Sequence, residues 1–144
     1  MNENKLKHLE FIQNIITRMN TNSFAIKGWS VTLVSALFAL AADKADRSFI
    51  LIAYLPVICF WVLDAFYLSQ ERQYRALYRE VAVNPSGSTD FNLDASSFNT
   101  GERTWGNCVF TKTLSPFHGT LFVVVIFAML YFWLLAAVGA PHQP

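Results

Sequence analysis

Charge is what this chain has least of. Only 15% of its 144 residues are Asp, Glu, Lys or Arg, while 53% are hydrophobic. A soluble domain averages about 25% charged. Cysteine is scarce too: Cys59 and Cys108 are the only two, which excludes a disulfide framework. The sequence has no P-loop, HExxH, paired CxxC, GxSxG or glycine-rich dinucleotide turn. Its three histidines and two cysteines lie far apart, without metal-ligand spacing. These absences point away from an enzyme and from a resident metal or cofactor. A net charge of +1 favours no particular partner.

What the chain has instead is three long apolar runs: Phe24 to Ala42, Phe49 to Leu68, and Phe117 to Val138. About 20 helical residues rise about 30 Å, the thickness of a hydrocarbon core. Three such runs would make a soluble core too large for the polar remainder to cover. The expectation is an all-α integral membrane protein with three transmembrane helices. The stretch "ALFALAADKA" carries an A-x-A pattern, but 27 mostly polar residues precede the core of that run. It therefore reads as a retained span rather than a signal peptide.

Basic residues set the orientation. Lys5, Lys7, Arg18, Lys27, Arg72, Arg75, Arg79, Arg103 and Lys112 fall on one side, and only Lys44 and Arg47 on the other. This places the N-terminus and the long polar segment in the cytoplasm and the C-terminus outside. Four regions follow: an amphipathic cytoplasmic helix over 1–23, spans one and two over 24–68, a cytoplasmic extension and loop over 69–116, and span three with a short tail over 117–144.

In the first region, Leu9, Ile12, Ile16 and Met19 form a heptad-like seam. Two partners compete for it: the inner leaflet or copies of itself in an oligomer, with protein contacts favoured by its mixed charges. No Gly or Pro interrupts Ser69 to Val81, so one helix is predicted from about Ser48 to Val81, kinked at Pro56 and stopped by "NPSG" at 84–87. Phe91, Leu93, Phe98, Trp105 and Phe110 read as anchors on that helix or on a neighbouring subunit. A short strand near Phe91 to Leu93 is a further reading.

Asp64 is the anomaly. It lies four residues from the end of the second run, where an ionised carboxylate is unfavourable by a few kcal/mol unless partnered. Lys27, near the start of span one, lies at a similar depth. The two pair within one subunit or between subunits. The alternative is that Lys27 snorkels to the headgroups while Asp64 bonds to hydroxyls. Gly28, Thr32 and Ala36, with Ser35 and Ala39, form a small-residue pattern that permits close helix approach. That edge, with Ser30, Thr32 and Ser35 as its hydroxyls, reads either as helix packing or as the lining of a pore in a homo-oligomeric bundle. His118 reads as a polar cap at the start of span three. Arg72, Arg75, Arg79, Arg103 and Lys112 read as positive-inside charges paired with Glu71, Glu80 and Glu102, or as contacts for a partner or for an anionic ligand, either a phosphate lipid or a nucleotide-type messenger, with Phe98 and Trp105 able to stack.

The blocks "VLDAFYLSQERQYRALYREV", "DFNLDASSF" and "FTKTLSPFHGTLFVVVI" resemble small bacterial anti-phage defence membrane effectors, namely SLATT-type proteins and, more closely, the membrane effector of Hailong systems. The resemblance covers residues 25 to 130 and includes no catalytic signature. It implies an oligomer in the bacterial inner membrane, with the C-terminus in the periplasm, that leaks ions on infection, and a partner nucleotidyltransferase whose nucleotide product controls it. The expected partners are thus further copies of the chain, that nucleotide or its enzyme, the bilayer and ions. Lys27, Ser30, Thr32, Ser35 and Asp64 are the candidates for permeation and gating. A non-conducting membrane scaffold recruiting a soluble protein is the rival reading. A transporter subunit ranks last, because no inverted repeat or broken helix is visible.

Overall fold

The computed structural model describes residues 3–44, 48–83 and 91–139. Among these residues five α-helices run in order: α1 Glu3–Lys44, α2 Ser48–Ile52, α3 Tyr54–Val83, α4 Trp105–Val109 and α5 Ser115–Gly139. Two single 3-10 turns, Ser96–Phe98 and Gly101–Arg103, precede α4. Three of the helical stretches, Glu3–Ala42, Ile50–Val83 and Ser115–Leu134, are long and apolar enough to cross a membrane. The "NPSG" stop, Arg47 and the tail beyond 139 lie outside the described residues.

The expected amphipathic helix does not stand apart from span one. α1 is a single helix of 42 residues, about 60 Å long. Residues 20–24, "NTNSF", have weak helix propensity but include no Gly or Pro. One inward stripe explains the continuity. His8, Ile12, Ile16, Ile26, Ser30, Val34 and Ala41 are all buried, at spacings that keep them on one helical face. Tertiary contact along the whole stripe outweighs local propensity. Two residues of the Leu9–Met19 seam pack within the chain: Ile12 and Ile16 form a core with Leu77 and Ala95, flanked by Tyr74, Tyr78, Val81 and Phe98, while Leu9 and Met19 stay partly exposed.

The predicted single second helix is broken. Ala53 interrupts it, accepting only a long bond from the Val57 N–H (3.5 Å). Pro56 is the cause. Its ring lacks an N–H for the Ile52 carbonyl and would clash with it, so the helix restarts with Pro56 in the first turn, where proline is tolerated. From there α3 continues through Asp64 to Val83. α1 and α3 lie antiparallel along their full length, with Val34 and Ala41 meeting Ile50, Ala53 and Val57 at the far end. α5 joins that end through Val125, Leu121 and Phe122, with Phe122 edge-on to Tyr54 at 5.3 Å between centroids. Its other faces expose Val123, Val124, Phe127, Leu130 and Trp133, a surface suited to lipid.

Residues 91–114 fold back over the basic end of α3 without any strand among the described residues. The Asn92 side chain accepts from the Asp94 N–H, and the Asp94 carboxylate from the Ser96 N–H; the backbone and side-chain bonds from Ser96 hold the Asp94 carboxyl below its usual range. Of the expected anchors only Phe98 joins a core. Phe91, Leu93, Trp105 and Phe110 are exposed, while Ala95, Cys108 and Leu114 are buried. Phe91 adopts a left-handed φ of +50°, with its ring between His8 and Phe11. α3 grips this segment mainly by its backbone: Ser69 and Gln73 donate to the Arg103 carbonyl, Arg72 to Glu102, and Trp61 to Val109.

If the α1 seam packs on α3, Ile12→Ala opens a cavity under Leu77 and lowers stability by about 2–5 kcal/mol. Thermal unfolding in detergent checks this. An unchanged midpoint would mean the seam is not buried against α3 in solution.

Candidate functional site

Asp64 is fully buried, and each of the three long helices supplies part of its surroundings. From α1, the Ser23 hydroxyl donates to Oδ1 and the Lys27 ammonium lies 2.6 Å from Oδ2. From α5, His118 Nε2 lies 2.8 Å from Oδ2. Lys27 also donates to the Ser23 hydroxyl at 2.7 Å, so the two α1 residues act as one bidentate arm. Helical spacing makes that arm possible, since Ser23 and Lys27 are four residues apart and share a face.

The cluster is balanced: one ammonium faces one carboxylate, with hydroxyl and imidazole completing the shell. The Lys27 side chain is 25% exposed and reaches the pair from the rim, whereas Asp64 and His118 show no exposed side-chain surface. An ionised Asp64 requires His118 to donate through Nε2. His118 Nδ1 is then left buried without a partner. Trp61 stacks over the imidazole at 6.0 Å and Phe117 meets it edge-on at 5.0 Å. The aromatic walls fix the ring plane and keep water from the charge.

The five residues singled out for permeation and gating do not share a surface. Lys27 and Asp64 pair within the protomer. Ser30 is buried on the inward stripe and bonds back to the Ile26 carbonyl at 2.9 Å, so it leaves the candidate edge. Its position in sequence put it among the hydroxyls of the span; the helical turn puts it on the opposite face. Thr32 and Ser35 are exposed, as are Gly28, Ala36 and Ala39, and these five form one outward strip. Thr32 bonds back to the Gly28 carbonyl at 3.0 Å.

The arginines do converge. Arg72, Arg75, Arg79 and Arg103, with Ala76 and Glu102, line an open groove of about 350 Å³. Three of them have partners in the chain. Arg72 donates to the Glu102 carbonyl at 2.8 Å and Arg75 pairs with Glu71. Arg103 donates to the Phe98 carbonyl and the Thr100 hydroxyl, with its guanidinium 6.0 Å from the Phe98 ring centroid. Arg79 is exposed and has no ion-pair or hydrogen-bond partner among the described residues. Phe98 is thus already stacked by Arg103. Trp105 stands elsewhere, donating to the Val62 carbonyl at 3.0 Å, and does not line the groove.

His118 and Ser23 belong to the site and escaped the sequence reading, which made His118 a polar cap. Its depth was the available signal: three residues into the last helix, it is level with Lys27 and Asp64. Among the described residues no three His, Cys, Asp or Glu side chains form a metal-binding group. The chain matches no protein-family model, no curated protein and no solved structure.

Two outcomes follow from this geometry. Asp64→Asn leaves Lys27 partly buried without its counter-charge and lowers stability by about 3–5 kcal/mol. Adding Lys27→Met recovers part of that loss, so the double variant is less damaged than the single effects added together. Purely additive losses in detergent melts would show that the two charges are not coupled. The second outcome concerns Cys108. Burial pushes this thiol above its ordinary range, against the opposing effect of Arg72. Native protein therefore resists maleimide at Cys108 at neutral pH, and denaturation restores labelling; rapid native labelling would contradict the burial.

Proposed function

We propose that this protein is an oligomeric inner-membrane effector: an ion channel controlled by an anionic nucleotide signal, acting in anti-phage defence by depolarising the membrane. The observation that carries the channel reading is the division of polar groups on α1. Its inward stripe satisfies Asp64 within the protomer, while its outward strip of Gly28, Thr32, Ser35, Ala36 and Ala39 stays exposed. Small and hydroxylated residues permit close approach of helices in lipid. Copies of the chain assembled through this strip would place Thr32 and Ser35 around a shared axis, with the apolar faces of α5 towards lipid.

In this reading Asp64 gates and does not line the path. It ties α1, α3 and α5 at the level where the spans meet the cytoplasm, and any opening that separates these helices must exchange its three partners. The arginine groove lies on the α3 extension below that tie. Arg79 and the unused N–H groups of its neighbours suit phosphate oxygens, which planar guanidinium groups recognise well. The three sequence blocks support the assignment to defence and the N-inside orientation follows the basic residues.

The test is conductance. Protein reconstituted in liposomes is expected to pass ions in a manner that depends on added oligonucleotide or cyclic nucleotide. Thr32→Trp should change the current at least severalfold without preventing assembly. Arg79→Gln should weaken the response to the nucleotide while leaving insertion intact. An intact oligomer that passes no current with or without nucleotide favours a non-conducting scaffold and ends the channel reading.

A further inference from the structure

A second basic groove lies on the membrane side of the arginine groove, and its chemistry differs. α4 is held across the basic ends of the spans by two indoles. Trp61 of α3 donates to the Val109 carbonyl at 2.9 Å, and Trp105 of α4 donates to the Val62 carbonyl at 3.0 Å. Val62 belongs to the apolar run of α3, so α4 lies beside the last turns of that run. Tryptophan concentrates at this depth because its ring is apolar and its N–H polar. Beneath α4, Cys108 and Leu114 pack with Ala65 and Leu68, which fixes its inner face. Its outer face is left open: Trp105 is 50% exposed and Phe110, just after α4, is 80% exposed.

Beside Phe110 is a groove of about 620 Å³, lined by Arg72, Glu102, Asn107, Phe110, Lys112 and two threonines. Lys112 is exposed and has no ion-pair or hydrogen-bond partner among the described residues. Arg72 uses Nη1 on the Glu102 carbonyl and the Cys108 sulfur, leaving further N–H groups. Two cations and the Glu102 carboxylate line the groove, an excess of one positive charge. That suits a singly charged phosphodiester better than a nucleotide bearing several charges. An 80% exposed phenylalanine at headgroup depth, next to an unpaired lysine, also separates the apolar and anionic halves of one amphipathic ligand.

We propose that this groove is a binding site for the headgroup of an anionic phospholipid, with Lys112 and Arg72 at the phosphate and Phe110 among the acyl chains. The site depends on α4 lying at the membrane surface and is independent of ion conduction, so it survives if the channel reading fails. Amphipathic side chains at such a boundary add affinity from both apolar burial and charge.

Thermal unfolding of the full chain in detergent tests it, titrated with short-chain phosphatidylglycerol, short-chain phosphatidylcholine or inorganic phosphate. Phosphatidylglycerol raises the midpoint, and the other two do not. Lys112→Gln weakens the apparent affinity for phosphatidylglycerol about tenfold, the size expected for losing one charge-assisted contact. Phe110→Ser weakens it as well. Arg18→Gln, an exposed charge on α1 outside the groove, leaves it unchanged. Equal stabilisation by phosphatidylcholine would make the effect ordinary solvation by lipid. Equal stabilisation by inorganic phosphate would make the site one for a free ion. Full phosphatidylglycerol binding in both Lys112→Gln and Phe110→Ser would remove the groove as its location. Any of these overturns the proposal.

Discussion

A carboxylate in a low-dielectric layer has to be answered by other groups, and the answer given to Asp64 organises this molecule. An unpaired anion there would cost several kcal/mol or take up a proton. Ser23, Lys27 and His118 supply its contacts from two other helices. Apolar packing between membrane helices is weakly specific, because lipid chains compete for the same surfaces. The directional contacts at Asp64 therefore fix register in a way that the Val34–Val57–Val125 cluster does not. A slide of α1 by one turn against α3 would leave the hydrophobic cluster nearly as well packed but would strand the charge.

Outside the apolar layer the governing interactions change. The α1–α3 pair continues through Ile12, Ile16 and Leu77, where water is present and hydrophobic burial favours association directly. The folded-back segment is attached in a third way, by α3 side chains that take main-chain carbonyls of residues 102, 103 and 109. Three layers of one helix thus use three kinds of contact, each suited to its surroundings. Both basic grooves open where the folded-back segment meets α3, and Arg72 and Glu102 line each of them.

The elements that the sequence displayed were those governed by period and depth. The three apolar runs appear as helices, and matching Lys27 to Asp64 by depth anticipated their contact. Helix continuity was less visible. "NTNSF" looks like a boundary by propensity, yet the inward stripe from His8 to Ala41 carries α1 through it. Pro56 signalled a kink, but the proline effect falls on the preceding turn, so the break is at Ala53. Ser30 seemed to belong with Thr32 and Ser35 because all three carry hydroxyls, whereas the turn of the helix separates them. Aromatic residues of 91–110 were the obvious anchors, but the segment is held by its carbonyl groups, and a hydrophobic pattern carries no record of those. His118 required knowing which face of α5 meets α3.

The unbroken course of α1 has a mechanical consequence. α1 runs as one helix from Glu3 to Lys44, so its part in water and its part in lipid are one stiff rod, and any tilt about the Asp64 tie would move both ends. Over about 60 Å, a tilt of about 5° displaces one end relative to the other by roughly 5 Å. The extramembrane end of such a rod lies against the α3 extension that carries Arg75 and Arg79, so a small push there would be felt, reversed in direction, beyond the Asp64 tie.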